Sequence, residues 1–519
     1  MDRADGPLVL GVDGGTESIR VALFTATGEP VAVAREPYDT RHARPGWAEQ
    51  EPDDWWRGLI AAVRRVLAES AVAPERVMGM AFACTCFTMV CVGADDRPLR
   101  PALLWMDVRS TVEADQIARS GAEALRMSAT THASAEWMLS KAMWLRRHEP
   151  GVYDATRWLA DYAEWMTFRL TGSRSTSVNS AAIRAYYDRL TGGWPTDLWD
   201  RVGMSELRER VAPRVLLMGE QAGGLDAAAA AELGLVAGTP VAQGGADAFV
   251  AMLGLGVTGP GAVAMVTGSS HVHMLQADQP IHVPGLFGSY TDAVVPGQFT
   301  LEGGQTSTGS VVSWLIRLLR GRGCSPDQVA HTLAELNRAA TDLPPGAQGL
   351  LALDYWQGNR TPHVDARARG MFWGLSLVHE PAHLFRAVVE SICYGTESIL
   401  RAMRSSGHPI DEVVACGGAL NSPFWLQTHA DVSGIPIRTT RVNDAAVLGA
   451  AILAAIGAGL YRDMPEATAA MVVADRVIEP RPALTEQYRP LLDLYAESYA
   501  AMRPLLHQAA DLADREPSR

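Results

Sequence analysis

Three carboxylates stand in settings where an acid side chain is better placed for chemistry than for packing: Asp13, Asp247 and Glu302. Asp13 ends the apolar run Val9-Leu10-Gly11-Val12 and precedes Gly14-Gly15-Thr16-Glu17-Ser18. Glycines let a backbone approach a phosphate and aim N–H groups at it. Thr16 and Ser18 add hydroxyl donors, and Arg20 adds positive charge. A carboxylate at such a strand end can hold Mg²⁺, usually through water. The same stretch also fits an ordinary Gly-rich hairpin turn. Asp247 lies in Gly244-Gly245-Ala246-Asp247-Ala248-Phe249, just before an expected helix. Small neighbours leave room for a hydroxyl, which a carboxylate can orient and deprotonate as it attacks phosphorus. A plain helix N-cap is the competing reading. Glu302 opens the polar cluster Glu302-Gly303-Gly304-Gln305-Thr306-Ser307-Thr308-Gly309-Ser310. Glu302 there can bond substrate hydroxyls while Gly309 passes close to a nucleotide; a loop leading into a helix is the alternative.

The elements that must carry these groups repeat. Ala262-Val263-Ala264-Met265-Val266-Thr267-Gly268-Ser269-Ser270-His271-Val272-His273-Met274-Leu275 follows the plan of the opening hairpin, half a chain later. A repeat of this kind predicts two related domains, each offering a loop to one ligand. ATP held between two such loops is the arrangement of the actin-like ATPase fold. No Gly-x-x-x-x-Gly-Lys-Ser/Thr motif is present, which disfavours a Walker-type NTPase. Cys416-Gly417-Gly418-Ala419-Leu420-Asn421-Ser422 follows the apolar run Val413-Val414-Ala415. A strand, a Gly-Gly turn and a helix start can take an adenine and its ribose. Trp105-Met106-Asp107-Val108-Arg109 either shapes a polyol pocket or pairs its charges on a surface helix. Thr85 and Cys86 end a strand that can face that pocket. His271 and His273 alternate on a strand and read as partly buried polar residues rather than metal ligands.

A helix capped by Asp53, a strand–turn–strand over 77–92, helices between Val112 and Arg147 and from Asp161 to Leu170 fit an α/β domain. A junction is expected near Gly254–Gly261, giving units 1–256 and 257–481. A helical tail, 482–519, interrupted at Pro490, packs back on the body, with Glu516–Arg519 frayed. Ala445–Leu460 is too short and glycine-bearing to span a membrane and reads as a buried helix. The net charge of −13, with no basic run, argues against a nucleic-acid partner. Cys84, Cys86, Cys91, Cys324, Cys393 and Cys416 match no zinc spacing and read as free thiols. The opening Met1–Gly6 lacks the features of a signal peptide, so a cytoplasmic location is expected.

Taken in order, Asp13-Gly14-Gly15-Thr16, Pro45-Gly46-Trp47-Ala48-Glu49-Gln50, Gly245-Ala246-Asp247-Ala248, Thr267-Gly268-Ser269-Ser270 and Gly417-Gly418-Ala419-Leu420-Asn421-Ser422 resemble the FGGY carbohydrate kinases. The resemblance runs from about Leu8 to Leu460. It implies an α/β chain of two actin-like (ribonuclease H-like) domains around a deep cleft, with ATP and Mg²⁺ used to phosphorylate a small sugar or polyol. On this match Asp247 takes the catalytic position and Asp13 the Mg²⁺-associated one. Gly14, Gly15, Thr16, Arg20, Thr267, Gly268, Gly309, Gly417, Gly418 and Asn421 fall at nucleotide-contacting segments. Where many xylulokinases carry Met-His-Gly, this chain reads Phe82-Ala83-Cys84-Thr85-Cys86-Phe87. That stretch, with Leu104–Ser110, Glu302–Gln305 and Gly358-Asn359-Arg360-Thr361-Pro362, is similar to the ribulokinase-type branch and implies a pentulose substrate. Thr85, Cys86, Trp105, Asp107, Arg184, Asp247 and Glu302 are then the substrate-side residues. A xylulokinase or polyol kinase, an actin-like ATPase without sugar transfer, and a catalytically dead sugar-binding regulator are the alternatives. A homodimer is open for the family, though no segment points to one.

Overall fold

The computed structural model describes residues 6–128, 132–321, 323 and 325–513, so Met1–Asp5, Cys324 and Glu516–Arg519 lie outside the described residues. Two large sheets organise the chain. In the first, the strands run in the order Gln221–Gly224, Pro240–Ala246, Val77–Cys84, Leu8–Gly14, Ser18–Thr25, Pro30–Pro37. In the second the order is Phe287–Thr291, Phe299–Gln305, His271–Ala277, Gly261–Thr267, Ile410–Gly417, Ile437–Thr440, Ala474–Ile478. Each sheet holds the same kernel: three antiparallel strands, then two strands parallel to the first. The hairpin registers also correspond, with Gly14 opposite Ile19 in one and Thr267 opposite His271 in the other.

Every residue of Leu8–Gly14 is buried, because helices cover both faces of the first sheet, as its continuous apolar run requires. Leu8, Leu10 and Val12 point into a core shared with the helix Pro52–Ser70. Val9 points the other way, toward the helix Ala445–Gly457. A Cβ at Gly11 would lie 2.1 Å from the Val447 carbonyl oxygen, so that helix lies directly on the strand. The same helix crosses Asp247–Gly254 equally closely: a Cβ on Gly449 would sit 2.0 Å from the Val250 oxygen. Ala445–Gly457 is therefore apolar because it is the core between the two lobes, although it belongs to the second half of the chain. Among the described residues no helix is long and apolar enough to cross a membrane.

Three local expectations change. The tail forms one helix, Pro482–Ala513, that continues through Pro490. Tyr488, Leu492, Tyr495 and Tyr499 bury their rings and side chains in the second lobe, and this packing outweighs the hydrogen bond a proline removes. The first long helix begins at Pro52 after Glu51, so Asp53 lies inside its first turn and does not cap it. Glu302-Gly303-Gly304-Gln305 is buried strand rather than flexible loop. Cys84, Cys86, Cys91, Cys393 and Cys416 are free thiols.

Candidate active site

The strand Leu8–Gly14 delivers Asp13 to the lobe interface, where it is buried. Arg20, directly opposite in the hairpin, donates to Asp13 Oδ2 at 2.8 Å and to Asp444 at 2.6 Å. Asp444 immediately precedes the interlobe helix, so Arg20 ties the loop of one lobe to the other. Asp13 Oδ1 is buried with no hydrogen-bond partner among the described residues. Burial pushes the Asp13 carboxyl up to about 7; Arg20 draws it down, and Asp247 and Asp444 add to the rise. The loop is held from behind by the segment Pro45–Gln50. Gln50 donates to the Thr16 carbonyl at 2.6 Å, and Tyr38 donates to the Gly15 carbonyl. Trp105 donates its indole N–H to the Thr16 hydroxyl at 3.0 Å.

Asp247 is the first residue of its helix, and Ala246 occupies the cap position without a side-chain bond. The carboxylate is thus not a cap. One oxygen accepts the Ala248 N–H at 2.7 Å, and no other hydrogen bond is made to the side chain among the described residues. Burial pushes it up to about 6, against the pull of the Ala248 N–H and of Arg20. Asn179 accepts the Ala246 N–H at 2.9 Å and fixes the strand end. A Cβ at Gly245 would lie 2.7 Å from that same Asn179 oxygen, which explains the glycine.

Cys86, half-buried in the turn after Val77–Cys84, is within electrostatic reach of Asp247, Glu302, Arg360 and Glu136. These groups come from both lobes. Glu302, on its strand, accepts from Arg360 at 2.6 Å, and the Arg360 guanidinium lies 4.5 Å from the centre of the Phe287 ring. Burial raises the Glu302 carboxyl, Arg360 opposes the rise and Glu136 adds to it. Thr85 is buried, its N–H bonded to the Gly14 carbonyl at 2.9 Å. The result is a polar cluster around Cys86 that takes Asp247 from the first lobe and the Glu302–Arg360 pair from the second.

The second loop is built from neutral groups. Thr267 donates its hydroxyl to the Cys416 carbonyl at 2.6 Å and accepts the Ala419 N–H at 3.0 Å. Gly417 has φ of 93°, and a Cβ there would lie 2.0 Å from the Thr267 oxygen. The Gly309 N–H meets the Gly268 carbonyl at 3.2 Å. Gly268, Gly418 and Asn421 are exposed on the rim. Behind this loop His271 and His273 are fully buried, deeper than their sequence setting indicated, and His429 joins them with its ring 5.7 Å from that of His271. Burial lowers all three well below the usual imidazole range, to about 4 for His273 and about 3 for His429.

Two residues expected on the substrate side are engaged elsewhere. Arg184 is 1% exposed and donates to Glu164 at 2.6 Å, which closes its guanidinium inside the first lobe. Asp107 has no exposed surface; it accepts from Arg109 at 2.6 and 2.8 Å and from the Ala48 N–H at 2.7 Å. The Asp107–Arg109 pair buries its side chains beneath a surface turn rather than on a surface helix, with Arg109 stacked 3.6 Å from the Trp47 ring centre. Its work is to brace the segment that holds the phosphate loop. Glu136, Asn179 and Asp444 carry no site signal in the sequence, and Arg360 enters there only within the Gly358–Pro362 stretch of the resemblance; the tertiary fold brings them to the lobe interface.

No group of three His, Cys, Asp or Glu among the described residues has a geometry that holds a metal by itself. The unpartnered Asp13 oxygen nevertheless fits one Mg²⁺ whose other ligands are water and phosphate, the coordination that ion prefers.

Residues 8–254 match the model of the FGGY family of carbohydrate kinases, N-terminal domain, and residues 263–458 match that of the C-terminal domain. The chain belongs to the FGGY carbohydrate kinases. Members transfer a phosphoryl group from ATP to a sugar. A ribulokinase from Bacillus licheniformis is 32% identical over 517 residues, covering 92% of this chain and 94% of the relative. An FGGY carbohydrate kinase domain-containing protein from Xenopus laevis is 29% identical, covering 91% of this chain and 92% of its own. Among solved structures, a xylulose kinase from Rhodospirillum rubrum superposes with a TM-score of 0.85 at 28% identity, covering 96% of this chain and all of that one. This FGGY kinase is thus placed on the ribulokinase-type side by sequence, in the two-domain actin-like fold its kernel sheets display.

Proposed function

We propose that this kinase phosphorylates a pentulose, a ribulose-like ketose, with Asp247 as general base. The observation that carries the reading is the carboxylate itself. Asp247 lies beside Cys86 with one oxygen bound by a backbone N–H and the other without a hydrogen-bond partner among the described residues, and burial brings it to about 6, near working pH. The free oxygen takes the proton of a sugar hydroxyl as that oxygen bonds to the γ-phosphorus. The bond from the γ-phosphorus to its bridging oxygen breaks, and ADP leaves. Asp13 would hold Mg²⁺ through its unpartnered oxygen, and the bound ion would supply charge neutralisation to the phosphates. Glu302 and Arg360 offer an acceptor and a donor to the far hydroxyls, and the Thr85–Cys86 turn and Trp105 supply the first-lobe wall. Closure of the lobes keeps water from competing with the sugar. An ATPase without transfer has no use for an acid–guanidinium pair facing its base.

A coupled ADP-release screen over D- and L-ribulose, D- and L-xylulose, erythritol, glycerol and pentitols tests the substrate. Activity on a ribulose supports the reading; preference for a xylulose or a polyol moves it to another branch, and inactivity on all removes it. Asp247→Asn should lower kcat by on the order of 10³-fold with the fold intact. Normal turnover by that variant sinks the assignment.

A further inference from the structure

Lys141 has no exposed surface. It lies on the helix Met138–His148, and its Nζ donates to the Phe87 carbonyl at 2.8 Å and to the Leu104 carbonyl at 2.7 Å. The two acceptors belong to different loops. One follows the strand Val77–Cys84 and presents Cys86 to the polar cluster; the other leads into Trp105, whose indole bonds Thr16 of the phosphate loop. Phe87 holds φ at 59°, a backbone shape a bulky side chain rarely takes. The bond from Lys141 meets the carbonyl of that residue. For packing alone a buried ammonium is a poor choice, since removing it from water is costly and an apolar side chain would fill the same space.

We propose that Lys141 is a positioning residue for the sugar. It fixes the spacing between the Cys86 and Trp105 walls and so sets sugar affinity and discrimination without touching the sugar. Burial lowers its ammonium to about 7, with Asp107 and Glu136 opposing. Because a neutral amine keeps two N–H groups, both carbonyls stay bonded on either side of that value. The proposal rests on the kinase reading of the cleft.

The test uses Lys141→Met and Lys141→Gln in the full chain. Lys141→Met should raise KM for the preferred sugar about tenfold or more, a misplacement effect, change KM for ATP much less, through the Trp105–Thr16 bond, and flatten the preference for that sugar over its epimer. Lys141→Gln keeps an NH₂ donor group, but on a side chain too short to place it where Nζ sits, and should fall between. Amide hydrogen exchange should quicken at Met89, Leu104 and Asp107, and stay unchanged at Gly268 and Thr308 of the second lobe. An unchanged sugar KM with discrimination retained overturns the proposal. So does a loss of kcat that tracks lost folded protein, or faster exchange spread evenly over both lobes. If Lys141→Met does not fold, the KM split is read on Lys141→Gln. If the wild type releases no ADP with any sugar, the pentulose reading falls, and the exchange pattern still decides for or against Lys141.

Discussion

The two hairpin loops proposed to hold phosphate occupy corresponding places in corresponding sheets, yet their chemistry differs. One pair in from the strand end the first lobe has Asp13 facing Arg20, and at the strand end the second has Thr267 facing His271. The first loop is charged and bridged to the other lobe through Asp444. The second satisfies its threonine within the backbone of its own lobe and is backed by uncharged, fully buried imidazoles. One repeated scaffold thus supports a loop suited to metal and proton chemistry and a loop suited to neutral phosphate and base contacts.

The largest effect should come from exchanging that chemistry. Asp13→Asn should cut kcat by on the order of 10²–10³-fold, the range for losing a preorganised charge. Thr267→Val should act about tenfold and mainly through KM for ATP. Equal kcat losses in steady-state assays would break the division of labour.

Acid should then separate the lobes. His273 and His429 sit at about 4 and about 3 in the folded protein, below the free imidazole value. The unfolded chain therefore binds more protons, and stability falls as pH drops below about 6.5, by about 2 kcal/mol per histidine at pH 5. Asp13, raised to about 7, works in the other sense. Its contribution is present in acid and is lost as pH rises through that value. Urea midpoints at pH 5 and pH 7.5 should show less acid sensitivity in His429→Leu than in the wild type. The same acid sensitivity in both would remove the histidines from the account.

Catalysis carries a smaller pH signature. With Asp247 at about 6, kcat/KM should fall as pH drops through that value, because the base must be ionised. A profile flat from pH 5 to 8 contradicts it. The smallest expected change is Trp105→Phe, which removes the bond to Thr16. It should cost about 1 kcal/mol of binding, seen as a several-fold rise in KM.

Local pattern made much of this legible. Continuous apolar runs ending in Gly-rich turns mark both hairpins, because a strand buried on both faces must be apolar and a backbone near phosphate must be small. The same pattern pointed to Asp13, Asp247 and the Gly417–Gly418 turn. The resemblance misled at Arg184, and the residues left Asp107 open between a polyol pocket and a charge pair, since a charged residue in sequence carries no sign of whether its partner is a ligand or another side chain. For Arg184 the partner is Glu164, and for Asp107 it is Arg109.

By itself, then, the sequence determined the kernel hairpins, the α/β class, the repeat and the residue types at each loop, all of which follow from short-range periodicity and turn chemistry. Only the tertiary structure decided that Ala445–Gly457 becomes the core between the lobes and that Pro490 is carried through a helix. It alone brought Glu136 and Arg360 into the cluster with Cys86, and put Lys141 beneath two loops that end more than fifteen residues apart. Those outcomes depend on contacts between distant segments, where packing and desolvation override local preference.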